Sequence, residues 1–240
     1  MNSTDRFVVG YEQNALNMGV KLPISVDFSV VPHLLIVAPS GSGKTYLLML
    51  ILKQLAQRNG KLVFADFKGG DFIGLENCQR YYRHQNVAQA LQYVFDELQD
   101  RMSRPRTDFQ SIYFVVDEWS GFLGIYPKKE QETYKQRLAS LLMLGRGVRI
   151  FVIIALQRGD AAYLNGRDNF GNCIGLGSLS KESISMTFSE NKDLISSKPR
   201  GHGYLQTDGK PLREIVVPRI RKPEKVMEII KLALEEKESL

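Results

Sequence analysis

The sequence predicts an α/β domain whose mainly parallel sheet is covered by helices on both faces. Short apolar runs alternate along the chain with amphipathic helical patterns, which is the order that a parallel sheet requires. The chain has 240 residues, of which 43% are hydrophobic and 24% charged, so it suits a single domain with a buried core. Its longest apolar runs, residues 34–38 and 151–156, are far shorter than the roughly 18–20 residues of a membrane-spanning helix. We therefore expect one domain over residues 1–240, with no membrane span of its own.

The first part of the chain predicts an opening hairpin and the start of a strand–helix alternation. Residues 7–28 alternate apolar and polar side chains around a middle rich in Gly and Asn, which favours a β-hairpin. A short buried strand is expected at residues 33–38. Apolar side chains between residues 47 and 55 then share one helical stripe, which Asn59-Gly60 ends. The next predicted strand covers residues 61–66.

The rest of the chain continues this alternation and then changes character. Three short late strands and a last amphipathic helix follow the final long apolar run. We therefore divide the chain into the hairpin, a core over residues 29–218, and a C-terminal basic stretch with a helix over residues 219–240. The predicted elements are helices at residues 88–102 and 134–146, strands at residues 111–118, 148–157, 174–177, 203–207 and 213–218, and a helix opened by Pro223.

The strongest functional signal is the segment APSGSGKT, residues 38–45, which we call the phosphate loop. It directly follows a predicted strand and opens a helix, where small residues let backbone N–H groups surround phosphate oxygens. Lys44 is expected to reach the β- and γ-phosphates, and the Thr45 hydroxyl to coordinate Mg²⁺. The usual first glycine is replaced by Ala38, which is also small. The predicted nucleotide-binding residues are Ala38, Pro39, Ser40, Gly41, Ser42, Gly43, Lys44, Thr45 and Tyr46.

Two further strand ends carry polar side chains of the kind that act on a triphosphate. The strand at residues 111–118 ends in Asp117, predicted to hold the Mg²⁺ hydration shell, and Glu118, predicted to orient or deprotonate the attacking water. An exposed acidic strand end is the alternative. Gln157 ends the next apolar strand and is a candidate γ-phosphate sensor, with a solvated amide as the alternative.

The net charge bears on the kind of binding partner, and the cysteine content bears on disulfides and metal sites. The formal net charge is +6, from 32 Lys and Arg against 26 Asp and Glu, which weakly favours a polyanionic partner such as nucleic acid. Cys78 and Cys173 are far apart and lack zinc-ligand spacing, so we expect two reduced thiols rather than a disulfide scaffold or a metal site.

Four segments resemble, in order and spacing, the FtsK/SpoIIIE branch of the HerA–FtsK motor ATPases. They are residues 33–45, 65–72, 115–119 and 145–158. Residues 97–101 are similar to the helix motif of that family. Residues 167–180 resemble its segment after the Gln strand, in the version carried by conjugative elements of Gram-positive bacteria. The resemblance covers roughly residues 7–218.

The resemblance implies a RecA-like P-loop core that assembles as a homo-hexamer around double-stranded DNA and couples ATP hydrolysis to translocation. It implies ATP and Mg²⁺ as cofactors, a cytoplasmic location, and service to a mobile element in transfer, segregation or replication, with a possible recruiting protein. It also implies an arginine donated by the neighbouring subunit. Cys173 stands where related sequences tend to carry this arginine, so Arg146, Arg158 and Arg167 are the nearby candidates, with Arg167 slightly favoured. A surface arginine without a catalytic role is the alternative for each of them.

Two alternatives remain at this point. The segment DFKGGD, residues 66–71, also resembles ATPases of type VII protein secretion, which would make the substrate a polypeptide. Ala38 and Cys173 leave open a nucleotide-switched binding module that hydrolyses poorly. Within the same segment, Lys68 is a candidate contact to nucleotide or to a pore-lining partner, and a flexible glycine-flanked turn is the alternative. Trp119 is expected to pack rather than to stack on a base.

Overall fold

The computed structural model describes residues 5–105 and 108–235, and over these residues one ten-stranded sheet runs through the molecule. Its strand order is β2-β1-β10-β9-β8-β3-β7-β6-β4-β5. The strands are β1 (Arg6–Glu12), β2 (Pro23–Asp27), β3 (Leu34–Val37), β4 (Gly60–Asp66), β5 (Tyr81–Arg83), β6 (Ser111–Asp117), β7 (Ile150–Leu156), β8 (Asn172–Leu176), β9 (His202–Thr207) and β10 (Arg213–Val216). The helices are α1 (Gln13–Asn17), α2 (Lys44–Ala56), α3 (Val87–Ser103), α4 (Trp119–Gly124), α5 (Lys128–Leu144), α6 (Lys181–Thr187) and α7 (Pro223–Glu235).

The predicted α/β class with a mostly parallel core is confirmed. Neighbouring strands from β8 across to β5 all pair in parallel. The strands from β8 back to β2 pair antiparallel, and the β1–β2 pair is the predicted hairpin. The part of the predicted 219–240 segment beyond residue 235 lies outside the described residues. Four short elements, β5, α1, α4 and α6, were not predicted.

Both faces of the sheet are covered, which explains why its central strands are apolar throughout. All seven residues of β6 and all seven of β7 are buried. On one face, α2 packs beside α7 and contributes a buried stripe from Leu47 to Leu55. On the other face, α3 and α5 cover the sheet with side chains such as Leu91 and Leu141. The helical periodicity in the sequence therefore marks the faces that the helices bury.

Strand register brings the three predicted site segments to one edge of the sheet. β7 lies between β3 and β6, and all three strands are parallel, so their carboxyl ends coincide. The Ala38 N–H donates to the Leu156 carbonyl at 2.9 Å, and the Glu118 N–H donates to the Ala155 carbonyl at 3.1 Å. The phosphate loop, the acidic pair and Gln157 therefore leave the sheet side by side, as expected for a ligand site at the carboxyl ends of parallel strands.

Candidate nucleotide site

The phosphate loop is a tight turn that needs its two inner glycines. Gly41 has φ of 78° and Gly43 has φ of 107°, both in the region that side chains with a Cβ avoid. Gly43 is the N-cap of α2, so Lys44 and Thr45 form the first turn of a thirteen-residue helix. The Ser42 hydroxyl donates to the Pro39 carbonyl at 2.6 Å and closes the turn. The loop therefore presents backbone amides and a positive helix end, which suits phosphate binding.

Two glycines from distant parts of the chain brace the phosphate loop. The Gly201 N–H donates to the Ser42 carbonyl at 2.8 Å, and a Cβ at Gly43 would lie 3.3 Å from the Gly201 Cα. A Cβ at Gly177 would lie 2.8 Å from the Ser42 Cβ. The loop is therefore held from outside by segments that follow β8 and precede β9.

Lys44 is buried against both acids of the β6 end. Its Nζ lies 2.6 Å from Asp117 Oδ1 and also contacts Glu118 Oε1, while the Lys44 and Asp117 side chains are only 10% and 2% exposed. Burial alone would lower the pKa of Lys44, but the charges of Asp117 and Glu118 outweigh burial and raise it. Burial raises the pKa of Asp117 to about 6, and Lys44 opposes that shift. The Lys44–Asp117 pair is therefore ionised at neutral pH.

Glu118 is not part of the strand that precedes it. Its φ of 63° lies in the left-handed region, and it is the N-cap of α4 rather than the last residue of β6. Its N–H donates to Ala155, and its carbonyl accepts from the Phe122 N–H at 3.0 Å, which holds this conformation. The prediction that the strand runs to residue 118 is therefore wrong by one residue. A strained backbone of this kind costs of order 1–3 kcal/mol and is common at functional sites.

A cavity of about 110 Å³ brings most of the predicted residues together. Ala38 is buried directly after β3 and does not line it, and the side chain of Ser42 turns back to Pro39. Asp117 is not in its lining either, but it contacts Lys44, which is. The cavity is lined by Pro39, Ser40, Gly41, Gly43, Lys44, Thr45 and Tyr46 of the phosphate loop region, with Glu118, Gln157, Lys68, Asp71 and Arg200.

Arg200 and Asp71 line this cavity although the sequence reasoning assigned them no role. The guanidinium of Arg200 lies 5.9 Å from the centroid of the Tyr46 ring. Arg200 and Tyr46 also line a larger adjoining cavity of about 400 Å³, with Pro218 on its wall. Asp71 accepts a hydrogen bond from the Thr45 hydroxyl at 3.0 Å. For Arg200, the signal in the sequence was the Pro-Arg-Gly segment at residues 199–201. For Asp71, the signal was the carboxylate in the KGGD segment.

The predicted arginines and Cys173 lie outside the phosphate-loop cavity of their own chain. Arg167 and Arg158 line a neighbouring groove of about 990 Å³, which meets the phosphate loop at Pro39 and Ser40 and also includes Gln157. Arg146 precedes β7 and is 3.5 Å from the Ser29 carbonyl, at the opposite edge of the sheet.

Trp119 packs, as expected. It is fully buried, and its indole N–H donates to the Tyr163 carbonyl at 2.8 Å. Cys173 opposes Leu35 near the amino end of β8, and its thiol faces the Phe170 carbonyl, so it has no contact with the phosphate loop.

The donor set fits a nucleoside triphosphate with Mg²⁺. Hard oxygen ligands are available from the Thr45 hydroxyl and the Asp117 carboxylate, which is the chemistry that Mg²⁺ prefers. A buried lysine at the start of a helix fits the phosphate chain. Within residues 5–105 and 108–235, no helix is both long and apolar enough to cross a bilayer.

Comparison with known proteins adds sequence and structural relatives. The family model described as the central domain of the helicase HerA matches residues 9–146. The FtsK domain-containing protein YdcQ of Bacillus subtilis is 27% identical over 230 residues, which are 88% of this chain and 48% of that protein. The ESX secretion system protein EccC of Thermomonospora curvata is 23% identical over 86% of this chain and 18% of that protein. The chain therefore spans less than half the length of these two relatives.

Solved structures share the fold. The pCW3 conjugation coupling protein TcpA, in its monomer form with ATPγS, superposes with a TM-score of 0.74 at 18% identity, over 95% of this chain and 71% of that one. The cytoplasmic domain of the type VII secretion ATPase EccC gives a TM-score of 0.71 at 20% identity, over 98% and 31%. The family match covers more than half of the chain, so the chain belongs to the HerA/FtsK-type P-loop ATPase domain family.

Proposed function

We propose that this chain is a cytoplasmic ATP-driven motor that moves double-stranded DNA as a homo-hexamer, in transfer, segregation or replication of a mobile element. The observation that carries the ATPase part is the contact of Lys44 with both Asp117 and Glu118 beside Gln157 and the phosphate loop. The net charge of +6 supports a polyanionic partner, and the similarity to an FtsK domain protein and a conjugation coupling protein supports DNA.

The proposed chemistry begins with exchange of charge partners. The β- and γ-phosphates bind the phosphate loop and take the Lys44 ammonium from the two acids. Glu118 is then free to accept the proton of the attacking water, and Gln157, which lines the same cavity, is the proposed contact of the γ-phosphate. Thr45 and Asp117 would hold Mg²⁺, which would supply positive charge to the phosphate groups.

Positions can also be proposed for the nucleotide base and for the arginine that a neighbouring subunit donates. The cavity with Tyr46, Arg200 and Pro218 adjoins the phosphate loop, and an aromatic ring beside a guanidinium suits a planar base. Arg167 lines the groove beside Gln157, and its side chain is 46% exposed. In a ring, Arg167 of one chain would reach the phosphate site of the next, where it stabilises charge on the transferred phosphoryl group.

The deciding experiment is steady-state ATP hydrolysis with and without linear duplex DNA, over a range of salt concentrations. We expect DNA to stimulate turnover, added salt to abolish the stimulation, and Glu118→Gln to remove turnover while nucleotide binding is retained. Turnover that is equal with and without DNA at every salt concentration would contradict the DNA motor.

A second candidate is a motor that moves a polypeptide. The EccC similarity over most of this chain favours it, since EccC is a type VII secretion ATPase. A gel-shift titration with duplex DNA separates the two candidates. Tight, salt-sensitive DNA binding excludes the polypeptide motor as the main function, and absent binding favours it. A nucleotide-switched module that hydrolyses poorly is favoured instead if turnover stays far below about 1 per second even with DNA.

A further inference from the structure

The hydroxyl of Thr45 is hydrogen-bonded to a carboxylate that comes from a distant strand. Thr45 Oγ1 donates to Asp71 Oδ2 at 3.0 Å. Asp71 belongs to the segment that follows β4, and β4 stands three positions from β3 in the sheet. The acids at the end of β6 are one strand nearer to β3, but their contacts are with Lys44. Lysine and threonine of the phosphate loop therefore have separate acidic partners.

The segment that carries Asp71 is anchored on both sides of this residue. On one side, Asp66 Oδ1 accepts the Gly69 N–H at 2.9 Å, and Gly69 has φ of 66°. On the other side, Phe72 is buried with its ring edge-on to Phe64 at 4.7 Å between centroids. A Cβ at Gly69 would lie 2.7 Å from His84, so the turn also requires a glycine. The turn formed by residues 68–70 is therefore held in place by these contacts and supports Asp71.

The direction of the Thr45 proton determines where the oxygen lone pairs point. A hydroxyl has one proton and two acceptor lone pairs. When Asp71 accepts the proton, the lone pairs face away from Asp71 and remain available to a cation. Carboxylates that accept a hydrogen bond from a metal ligand raise the donor strength of that ligand and fix its orientation. The charge of Asp71 also lies one hydroxyl away from the expected cation position.

We infer that Asp71 is a positioning residue for the divalent cation, which it serves by holding the proton of Thr45 and adding negative charge next to the metal position. The inference rests on the proposed function, since it assigns a role within that nucleotide site. Asp71 also lines the same cavity as Thr45 and Glu118, so the contact lies in the site and not beside it. Asp71 is exposed, so its carboxylate is accessible to a hydrated cation.

The test is an equilibrium titration of the whole chain with a fluorescent ATP analogue, first in EDTA and then at increasing Mg²⁺. We expect Asp71→Ala to need about ten times more Mg²⁺ for half of the metal-dependent gain in affinity. In EDTA, the same variant binds equally well or more tightly, because a carboxylate that repels the triphosphate has been removed. Asp71→Asn keeps an acceptor for Thr45 and should lose less.

Two controls separate this role from support of the loop. Glu76→Ala removes a carboxylate of the same segment, one that accepts from the Gly74 N–H at 2.8 Å, and should leave the Mg²⁺ requirement unchanged. Adding Asp71→Ala to Thr45→Val should raise the Mg²⁺ requirement by less than Asp71→Ala raises it in the wild-type chain, because only the charge of Asp71 is then lost. Equal losses in EDTA and in Mg²⁺ would mean that Asp71 only supports the loop, and would overturn the inference.

Nucleotide binding by the wild-type chain distinguishes a failure of the Asp71 inference from a failure of the proposed ATP site. If the wild-type chain gains affinity from Mg²⁺ and Asp71→Ala gains as much at the same concentrations, the inference alone is wrong. If the wild-type chain binds the analogue in neither buffer, the proposed ATP site is wrong, and the role of Asp71 is lost with it.

Discussion

The Lys44 ammonium lies 2.6 Å from Asp117 Oδ1, so the cation that is proposed to bind phosphate is already neutralised by the acids of its own chain. Glu118 shares this cation. The two carboxylates are held next to each other in a buried position, where like charges repel strongly without a cation between them. The same contact therefore has a structural role before any ligand arrives.

Lys44→Met removes this cation and keeps most of the apolar stem. We expect the free energy of unfolding to fall by about 3 kcal/mol, because the substitution leaves a buried acidic pair without its partner. Adding Glu118→Gln should recover part of the loss, since one of the two negative charges is then removed. Urea denaturation followed by circular dichroism measures both effects. A double variant less stable than Lys44→Met alone would contradict this account.

Gly177→Ala tests the brace on the phosphate loop. Its new Cβ would lie 2.8 Å from the Ser42 Cβ at a φ of 72°. Gly209→Ala is the matched control, with φ of 69° and no neighbouring atom within 4 Å of the new Cβ. Both variants bear the backbone cost of about 1–2 kcal/mol. Only Gly177→Ala should also weaken nucleotide binding, measured by fluorescence titration, because Ser42 has to move. Equal binding by the two variants would show that the contact does not shape the loop.

Arg200 should contribute to phosphate as well as base binding, since it lines both cavities. We expect Arg200→Ala to weaken ATP binding about tenfold, of the size expected for a charge-assisted hydrogen bond. The same variant should weaken competition by inorganic tripolyphosphate. Arg219→Ala is the comparison, because Arg219 lines only the larger of the two cavities. If tripolyphosphate competes equally well in Arg200→Ala and in the wild-type chain, Arg200 contributes to binding of the base only.

Arg167 should act between subunits if the ring proposal is correct. Arg167→Ala and Lys44→Ala should each hydrolyse little ATP, since each lacks one part of every composite site. Mixing them should restore partial activity, because an intact phosphate loop can then face an intact arginine. Hydrolysis measured across mixing ratios tests this. Arg158→Ala, which changes another arginine of the same groove, is the control. Mixing it with Lys44→Ala should give no such gain in ATP hydrolysis. A mixture as inactive as its components would contradict a trans role for Arg167.

His33 should make the fold sensitive to acid. It is fully buried, its Nδ1 accepts the Val152 N–H at 3.0 Å, and burial lowers its pKa to about 4 from 6.5. Between these two values the unfolded chain binds a proton that the folded chain does not, so stability falls as pH decreases from 6.5 to about 4. The loss amounts to about 3 kcal/mol.

His33→Asn separates this effect from general acid denaturation. Asparagine can accept the same N–H and tolerates the φ of 60° at this position. The variant should be less stable at pH 7 because it fills less volume, but its stability should depend less on pH over that range. Parallel pH profiles for the two proteins, measured by urea denaturation, would rule out His33 as the source.

The sequence predicted those parts of the fold that depend on local pattern. β6 and β7 were recognisable because both faces of each strand are covered, which makes the whole run apolar. The elements β5, α1, α4 and α6 were missed because each has too few residues to show a clear period. The left-handed backbone of Glu118 ends β6 one residue earlier than predicted.

The candidate site was predictable where its residues stand at strand ends. The phosphate loop, Glu118 and Gln157 each follow an apolar run, and parallel register then brings them together. Asp71 and Arg200 were not assigned because their places depend on how long segments cross the sheet edge, which strand order alone does not determine. The hydrogen bond from Gly201 to Ser42 is a contact of the same kind, between residues far apart in sequence.

The segment that begins near Asp71 ends at Arg80, and there it is tied to the last helix. The Arg80 N–H donates to the Leu234 carbonyl at 3.2 Å, and its guanidinium donates to the Ala233 carbonyl at 2.6 Å. α7 in turn packs on α2, the helix that begins with Lys44 and Thr45. These contacts therefore form a closed ring that includes the hydrogen bond between Thr45 and Asp71. Through these contacts, the segment from Asp71 to Arg80 joins the start of α2 to the C-terminal part of α7.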